Sequence, residues 1–332
     1  MAAAPAPTPC STCLILATLT NADGLIERMG PIVKNMGWFF MFDDIVDDPV
    51  HMGADLQDAN LLVDTVLTVF QGSYSAPCCS PSAVARHLTD TAAEWWQEMC
   101  VSMAPTLKDR FSKAFCDYLD ANRVQVPFRE SRHLPDLETY MKVRANSIGL
   151  LPCIVLIEHA QGFELDEEAL SHPLLTRLVE LTTQHVILMN DIASFKKEYM
   201  QGDFWNVVFL LFFRDLYNPD RSNADPAPTL QASVLEAVER MKRIDEECVE
   251  LMAKVRRNGR LMGKQGMAEY LEGLGLCMAG NVHWHLVSGR YGISATPDLH
   301  STPPDFLADH HLQLQANKHV SHNVPRVDGI LA

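Results

Sequence analysis

The sequence has a deficit of basic residues, and this deficit restricts its partners. Its 332 residues include 27 Lys and Arg against 42 Asp and Glu, which gives a formal net charge of −15 at pH 7. Nucleic acids and anionic membrane surfaces attract basic proteins, so neither is expected as the main partner. A ligand that is itself a polyanion would need a bound cation between it and this chain.

The sequence also lacks the patterns that define several common protein classes. Its N-terminus has no basic segment of the kind that begins a signal peptide, and its apolar run is too short to span a bilayer. The nine cysteines are an odd number without the paired spacing of a zinc finger, which predicts free thiols in a reducing cytosol. We therefore expect a cytoplasmic protein that has no membrane span.

Internal repeats and strand-like alternation are almost absent, whereas helical periodicity is widespread. Leu62, Val66 and Phe70, for example, lie on one face of a helix. His185 lies on a similar apolar stripe, where a buried core histidine is more frequent than a metal ligand. With 47% hydrophobic residues the chain can bury one large core, and the predicted fold is all-α. The predicted helical segments are near 55–71, 83–103, 106–123, 136–150, 174–200, 203–217, 229–257 and 265–290.

The stretch WFFMFDDIVDD, at residues 38–48, joins aromatic residues to a cluster of acids. On a helix, residues three and four apart share a face, so Asp43, Asp44 and Asp47 can converge on one point. Clustered carboxylates repel each other unless a cation joins them, and oxygen ligands favour Mg²⁺, Mn²⁺ or Ca²⁺. A solvated acidic helix end is the alternative interpretation, and this motif alone does not decide between the two.

A second motif, NDIASFKKE at residues 190–198, favours the metal site. Asn190, Ser194 and Glu198 are four residues apart, a step of about 40° around a helix, so their oxygens form a line on one face. Such a set can hold Mg²⁺ and leave positions open for phosphate oxygens. An ordinary polar helix face is the alternative. The pattern N-D-x-x-S-x-x-x-E, however, is expected in only roughly one chain in several hundred.

With these two motifs in this order, the sequence resembles the class I terpene synthases, in particular the fungal and bacterial sesquiterpene synthases. The resemblance covers about residues 36–292. It implies a single-domain, all-α helical bundle around a central pocket, with three Mg²⁺ ions (Mn²⁺ is an alternative) between the two motifs. The expected organisation is a variable or truncated N-terminal segment (1–30), a catalytic domain (31–292) and a loose C-terminal tail (293–332).

The resemblance also implies a set of diphosphate-binding residues. Arg144 corresponds to the family's diphosphate-sensing arginine, and Lys197 stands directly before the last residue of the second motif. Arg290 and Tyr291, in WHLVSGRYG, correspond to the Arg-Tyr pair that closes the site near the C-terminus.

Other residues are expected to form the pocket beneath the diphosphate. Phe39 and Phe40, one turn before the acids, would line it with aromatic faces that stabilise a carbocation, although packing in the core is the alternative for each. Gly149 and Pro152 are expected to break the helix that follows Arg144. The resemblance implies that the region of Gly149 couples diphosphate binding to ionisation.

The expected activity is Mg²⁺-dependent ionisation and cyclisation of farnesyl diphosphate to a C15 terpene, with release of diphosphate. A chain-elongating prenyltransferase would need a second aspartate-rich motif in place of NDIASFKKE. Geranyl or geranylgeranyl diphosphate is an alternative substrate. Because family members usually carry more chain before the first motif, a truncated, non-catalytic homologue that binds metal and diphosphate is a further alternative. The prenyl diphosphate is the expected partner, and the chain is expected to be a monomer or a homodimer.

Overall fold

The computed structural model describes residues 24–46, 55–131, 134–220, 222 and 227–291, and these residues form helices without strands. The all-α prediction is therefore confirmed. The helices are α1 Ile26–Val46, α2 Leu56–Phe70, α3 Ala83–Ser102, α4 Pro105–Ser131, α5 Leu137–Ser147, α6 Leu150–Gln161, α7 Glu167–Leu170, α8 Pro173–Gln201, α9 Val207–Leu216, α10 Leu230–Arg257, α11 Gly259–Met262 and α12 Met267–Val287.

Local sequence signals set the first residue of several helices. The side chains of Asp55, Ser82, Asp136 and Thr229 each accept a hydrogen bond from the backbone N–H three residues further on. Such a cap satisfies one of the N–H groups that a helix leaves unpaired at its start, and is worth about 1 kcal/mol. The helices with these caps are among those predicted from periodicity.

Some predicted boundaries are wrong. The segment from 125 to 131, predicted as loop, continues α4 and includes Pro127. Helices α1, α6, α7 and α11 were not among the predicted segments. Helix α1 begins at Ile26, and the backbone N–H of Leu25 donates to the carbonyl of Ala160 on α6, so the folded part starts before residue 31.

Three clusters of buried apolar side chains hold the helices around one cavity. The first joins α1–α4 to α6 and contains a set of rings in which Trp38 stacks on Phe42 with centroids 5.0 Å apart. The second joins α6–α8 to α10–α12, and the third joins α4, α5 and α8–α10. His185 is buried in α8, with Nε2 3.3 Å from Asp245 Oδ1, so it is a core histidine as predicted.

The predicted break after Arg144 is present. Helix α5 ends at Ser147, α6 begins at Leu150, and Gly149 between them has φ 73°, a conformation that glycine adopts without strain. A Cβ atom at this position would lie 3.1 Å from Cε1 of Phe39. Both the backbone and the close ring therefore require glycine.

Among the described residues, the stretch Leu137–Gln161 is long enough to span a membrane, and its most apolar 18-residue window has a mean hydropathy of 1.3. The break at Gly149 divides this stretch into α5 and α6, and 56% of its most apolar window is buried in the protein. These are properties of a core helix pair.

Several predictions fall on residues that the structure does not describe. Asp47, most of the predicted N-terminal segment and the predicted tail 293–332 lie outside the described residues. Of the nine cysteines, the seven that are described are free thiols, as predicted.

An ion pair between α4 and α6 generates a prediction about stability. Glu158 is 1% exposed, its two carboxylate oxygens each accept a hydrogen bond of 2.8 Å from Arg110, and Oε1 also accepts from the backbone N–H of Leu165. Replacing Glu158 with Ala leaves these donors without an acceptor. We expect Glu158→Ala to lower the free energy of unfolding by about 3 kcal/mol, measured by urea denaturation followed by circular dichroism.

Asp117→Ala is the matched control, because it removes an exposed ion pair to Lys113 on the same helix, α4. Exposed pairs of this kind contribute little, so its unfolding midpoint is expected to stay that of the wild type. Equal losses in the two variants would contradict a special role for the buried pair.

Candidate active site

The acidic end of α1 faces α8 across the mouth of the cavity. Asp44 Oδ1 lies 3.8 Å from Lys197 Nζ on α8. Tyr291 lies between the two helices: burial raises the pKa of its hydroxyl to about 12, and the carboxylates of Glu198 on α8 and Asp43 on α1 add to this rise. The structure therefore brings together the two motifs that the sequence separates.

Asn190, Ser194 and Glu198 lie on the face of α8 that borders this mouth. Asn190 Oδ1 accepts a hydrogen bond of 2.9 Å from Arg144, and Glu198 Oε2 accepts one of 2.7 Å from Asn206. The buried hydroxyl of Ser194 is close enough to Glu198 to lower the pKa of its carboxyl, but it makes no hydrogen bond of normal geometry within the described residues. Their spacing of four residues on α8 gives the three side chains a common face, and their role as metal ligands stays a prediction.

The electrostatic environment of Glu198 is unfavourable for its charge. Burial raises the pKa of its carboxyl to about 8, and the neighbouring acids Asp203 and Asp191 raise it further, while Ser194 and Asn206 act in the opposite direction. A positive charge next to this carboxylate would favour its ionised form.

Three basic side chains reach the mouth from different parts of the chain. Arg290 binds Asp44 with both terminal nitrogens, at 2.5 Å and 3.3 Å. Lys197 approaches the same carboxylate from α8, and Arg144 on α5 donates to Asn190. Each predicted diphosphate-binding cation is therefore in contact with one of the predicted metal ligands.

The donor set fits a hard divalent cation. It consists of carboxylate, amide and hydroxyl oxygens, the ligands that Mg²⁺ prefers. Within the described ranges no three His, Cys, Asp or Glu side chains converge on one point. A cation at this site would draw on the amide of Asn190 and the hydroxyl of Ser194 beside the carboxylates. Asp47, the third predicted ligand of the first motif, is not among the described residues.

Below the mouth, aromatic side chains form the cavity wall. Phe40 stacks on Trp284 with centroids 5.0 Å apart, and both line the cavity. Phe39 also lines it, but its ring packs against Tyr118 and Phe115 at 4.9 Å and 5.3 Å. Phe39 therefore belongs both to the wall and to the core. The space within the cavity is about 1170 Å³, part of it open to solvent.

Several residues that support the site were not predicted. Tyr118 donates to Asp43 at 2.9 Å, and Asn206 donates to Glu198. Asp191 is 1% exposed and accepts from the Tyr140 hydroxyl at 2.6 Å and from the first backbone N–H of α9. Asp191 and Asn206 stand in or near the quoted motifs and could have been noticed there. No sequence signal links Tyr118 to α1.

His285 orients the amide of Asn190. Its Nδ1 lies 2.7 Å from the backbone carbonyl of Asn281, so this nitrogen carries the proton and Nε2 is an acceptor. Nε2 is 3.4 Å from Asn190 Nδ2, while Arg144 donates to Asn190 Oδ1. Both ends of the amide are thus fixed, with its nitrogen on His285.

Comparisons with known proteins agree with this geometry. A family model described as terpene synthase family 2, C-terminal metal binding, matches residues 34–212. The chain is 27% identical to a (+)-germacrene D synthase of Selaginella moellendorffii, over 82% of this chain and 74% of that protein. It is 26% identical to a 7-epi-alpha-eudesmol synthase of Streptomyces viridochromogenes, named as cyclising (2E,6E)-farnesyl diphosphate, over 81% of this chain and 78% of that protein. Its fold is similar to that of the Streptomyces clavuligerus linalool/nerolidol synthase, solved in complex with 2-fluorogeranyl diphosphate, with a TM-score of 0.68. The two sequences are 20% identical, and the match covers 84% of this chain and 87% of that chain.

The contact between His285 and Asn190 generates a prediction about cation affinity. His285→Phe keeps a ring that can stack on Tyr291, as His285 does at 5.3 Å, but removes one of the two acceptors of the Asn190 amide nitrogen, which also lies 3.5 Å from the Tyr291 hydroxyl. Loss of a residue that orients a metal ligand typically weakens binding 10- to 100-fold. We expect His285→Phe to bind Mn²⁺ about 10-fold more weakly in the presence of inorganic diphosphate, measured by electron paramagnetic resonance. His283→Phe, at an exposed position of the same helix, is the control, and equal affinities in the two variants would contradict the orienting role.

Proposed function

The chain belongs to the terpene synthase family, and we propose that it ionises farnesyl diphosphate with the help of Mg²⁺ and cyclises it to a C15 terpene. It is a terpene cyclase, a lyase that acts on a prenyl diphosphate. The observation that carries the proposal is the convergence of two oxygen-ligand clusters and three cationic side chains at the mouth of an aromatic cavity. Without these cationic side chains and a metal ion on the oxygen ligands, an acidic chain could not hold a polyanion.

Arg144, Lys197 and Arg290 hold the diphosphate in this proposal. When the C1–O bond of the substrate breaks, both electrons leave with the diphosphate, and these side chains donate hydrogen bonds to the oxygens that gain charge. A divalent cation held by the oxygen ligands would neutralise part of that charge and improve the leaving group. In the structure these three side chains contact Asp44 or Asn190. Binding of the diphosphate would exchange these contacts for contacts with phosphate oxygens.

The cavity wall protects the allylic cation that remains. The faces of Phe40 and Trp284 can each stabilise positive charge by about 0.5–2 kcal/mol, and the apolar surroundings limit the access of water. A distal double bond of the substrate's isoprenoid chain then attacks the cation and closes a ring.

Two relatives inform the choice of substrate. One is named as cyclising farnesyl diphosphate, and the other was solved with an analogue of geranyl diphosphate. The cavity is partly open to solvent, so its size does not select between them. We infer farnesyl diphosphate because the first relative is the more similar in sequence, and geranyl diphosphate is the second candidate.

Product analysis tests this proposal. We expect the purified chain to release a C15 terpene from farnesyl diphosphate in Mg²⁺ and to be inactive in excess EDTA, measured by gas chromatography and mass spectrometry. Asn190→Ala should reduce turnover by about 100-fold or more, since it removes a ligand of the cation. Gln184→Ala removes an amide from α8 at a position outside the cavity and is the matched control.

Each competing function gives a different result in the same assay. Preference for geranyl or geranylgeranyl diphosphate would reject the inferred substrate, and elongation with isopentenyl diphosphate would indicate a prenyltransferase. Metal and diphosphate binding without any product would indicate the non-catalytic homologue.

A charge-conserving substitution tests the role of Arg144. The guanidinium donates to Asn190 and lies 3.4 Å from Asp191 Oδ1, a planar arrangement that suits a diphosphate as well. Arg144→Lys keeps the charge but loses the pair of N–H groups with which a guanidinium can donate to two oxygens at once. We therefore expect kcat to fall by at least about 10-fold, with the helical circular dichroism intact. Lys142→Arg, an exposed exchange on the same helix, should leave kcat unchanged. Wild-type kcat in Arg144→Lys would reduce Arg144 to an ion-pair partner of Asp191.

A further inference from the structure

Two polar side chains in the aromatic cavity have no partner in the described part of the chain. Asn281 on α12 is 8% exposed, and its Nδ2 atom makes no hydrogen bond there. The same holds for Oγ of Ser147, the last residue of α5, which is 3% exposed. Both side chains line the cavity below its charged mouth.

The register of α6 and α12 gives the level at which Asn281 lies. A Cβ atom on Gly273 would lie 2.4 Å from Cγ2 of Ile157, so these residues are in contact. Burial raises the pKa of the Cys153 thiol, and the nearby Cys277 thiol raises it further, so these two residues are also close. From the pair Gly273–Ile157 to the pair Cys277–Cys153, the residue number increases by four on α12 and decreases by four on α6. The two helices are therefore antiparallel, and one turn separates the contacts.

The next turn of the same register pairs Asn281 with Gly149. Gly149 is the residue between α5 and α6, and Ser147 precedes it by two positions. Asn281 on α12 thus lies beside the helix break, which comes two positions after Ser147, and the side chains of Asn281 and Ser147 both line the cavity there.

Water is the occupant that the chemistry of these groups favours. A buried polar group without a partner costs about 1–3 kcal/mol, and the hydrocarbon part of a terpene offers it no hydrogen bond. Neither side chain loses a hydrogen bond by turning about its own torsion toward the cavity. Buried waters usually make two to four hydrogen bonds to such groups, and Asn281 and Ser147 supply two.

We propose that Asn281 and Ser147 hold a water molecule that captures the terpene cation, so that the main product is an alcohol. This proposal rests on the proposed function. The Asn281 amide donates to the water oxygen and Ser147 accepts one of its hydrogens, which leaves a lone pair to form the C–O bond with the cationic carbon. The oxonium then loses a proton to the released diphosphate, and the products are the terpene alcohol and protonated diphosphate.

Isotope labelling tests the proposal. In H₂¹⁸O, the wild type should form mainly an alcohol that carries ¹⁸O, identified by mass spectrometry. Asn281→Leu has a similar size without hydrogen-bonding groups and should shift the ratio of alcohol to hydrocarbon toward hydrocarbon by about 10-fold, with Ser147→Ala changing it in the same direction. Met278→Leu is the control on the same helix, because the Met278 sulfur contacts Thr182 on α8 and does not line the cavity. Its ratio should be that of the wild type.

Two product outcomes would overturn the proposal. One is a wild type that forms hydrocarbon alone, and the other is an unchanged ratio in Asn281→Leu, because the water would then enter through the mouth. If no prenyl diphosphate yields a product, the proposed function fails, and crystal structures of wild type and Asn281→Leu decide the water site separately. A water within about 3.2 Å of the Asn281 amide that is lost in the variant supports the site, and its absence from the wild type rejects it.

Discussion

Charge neutralisation at the cavity mouth is the constraint on which the rest of the site depends. Asp43 and Asp44 on α1 and Glu198 on α8 are close in space, and like charges at such distances destabilise one another unless cations intervene. Burial first, and then the neighbouring acids Asp203 and Asp191, raise the pKa of Glu198 to about 8, which adds to the cost of its charge. In a chain with a net charge of −15, Arg290 and Lys197 both contact Asp44 at this mouth.

The helix break at Gly149 links this mouth to the aromatic wall. Arg144, which reaches the mouth, lies on the last turns of α5, and Gly149 follows directly after that helix. The ring of Phe39 lies so close to Gly149 that a Cβ atom would be 3.1 Å away, and Phe39 is in turn packed against Phe115 and Tyr118. Tyr118 donates to Asp43. Packed rings therefore connect the helix break after Arg144 to the first acid of α1.

Helical periodicity and the family resemblance account for the parts of the site that were predicted from the sequence, and only the first is a matter of local geometry. Asn190, Ser194 and Glu198 are four residues apart on one helix, so their common face follows from local geometry alone. The contacts of Tyr118 with Asp43 and of His285 with Asn190 join residues 75 and 95 positions apart, and no local pattern encodes such a distance. Helix α6 was not predicted because it is buried on nearly all sides and therefore has no polar face to reveal its period. Pro127 suggested a loop, yet α4 continues through it to Ser131.

Helix α12 explains how one cavity can combine a charged mouth with an interior that tolerates a carbocation. Cys277, Asn281 and His285 line the cavity at successive turns, and Arg290 lines it just beyond the end of the helix. Polarity therefore increases along one helix, from thiol to amide to imidazole to guanidinium. At the apolar end, burial raises the pKa of Cys277 to about 12, so its sulfur stays a neutral thiol, a much weaker nucleophile than a thiolate. The wall at Cys277 can thus contain polarisable sulfur without offering the carbocation a reactive anion. The groups that carry or accept charge, His285 and Arg290, lie at the other end of the helix, next to the mouth.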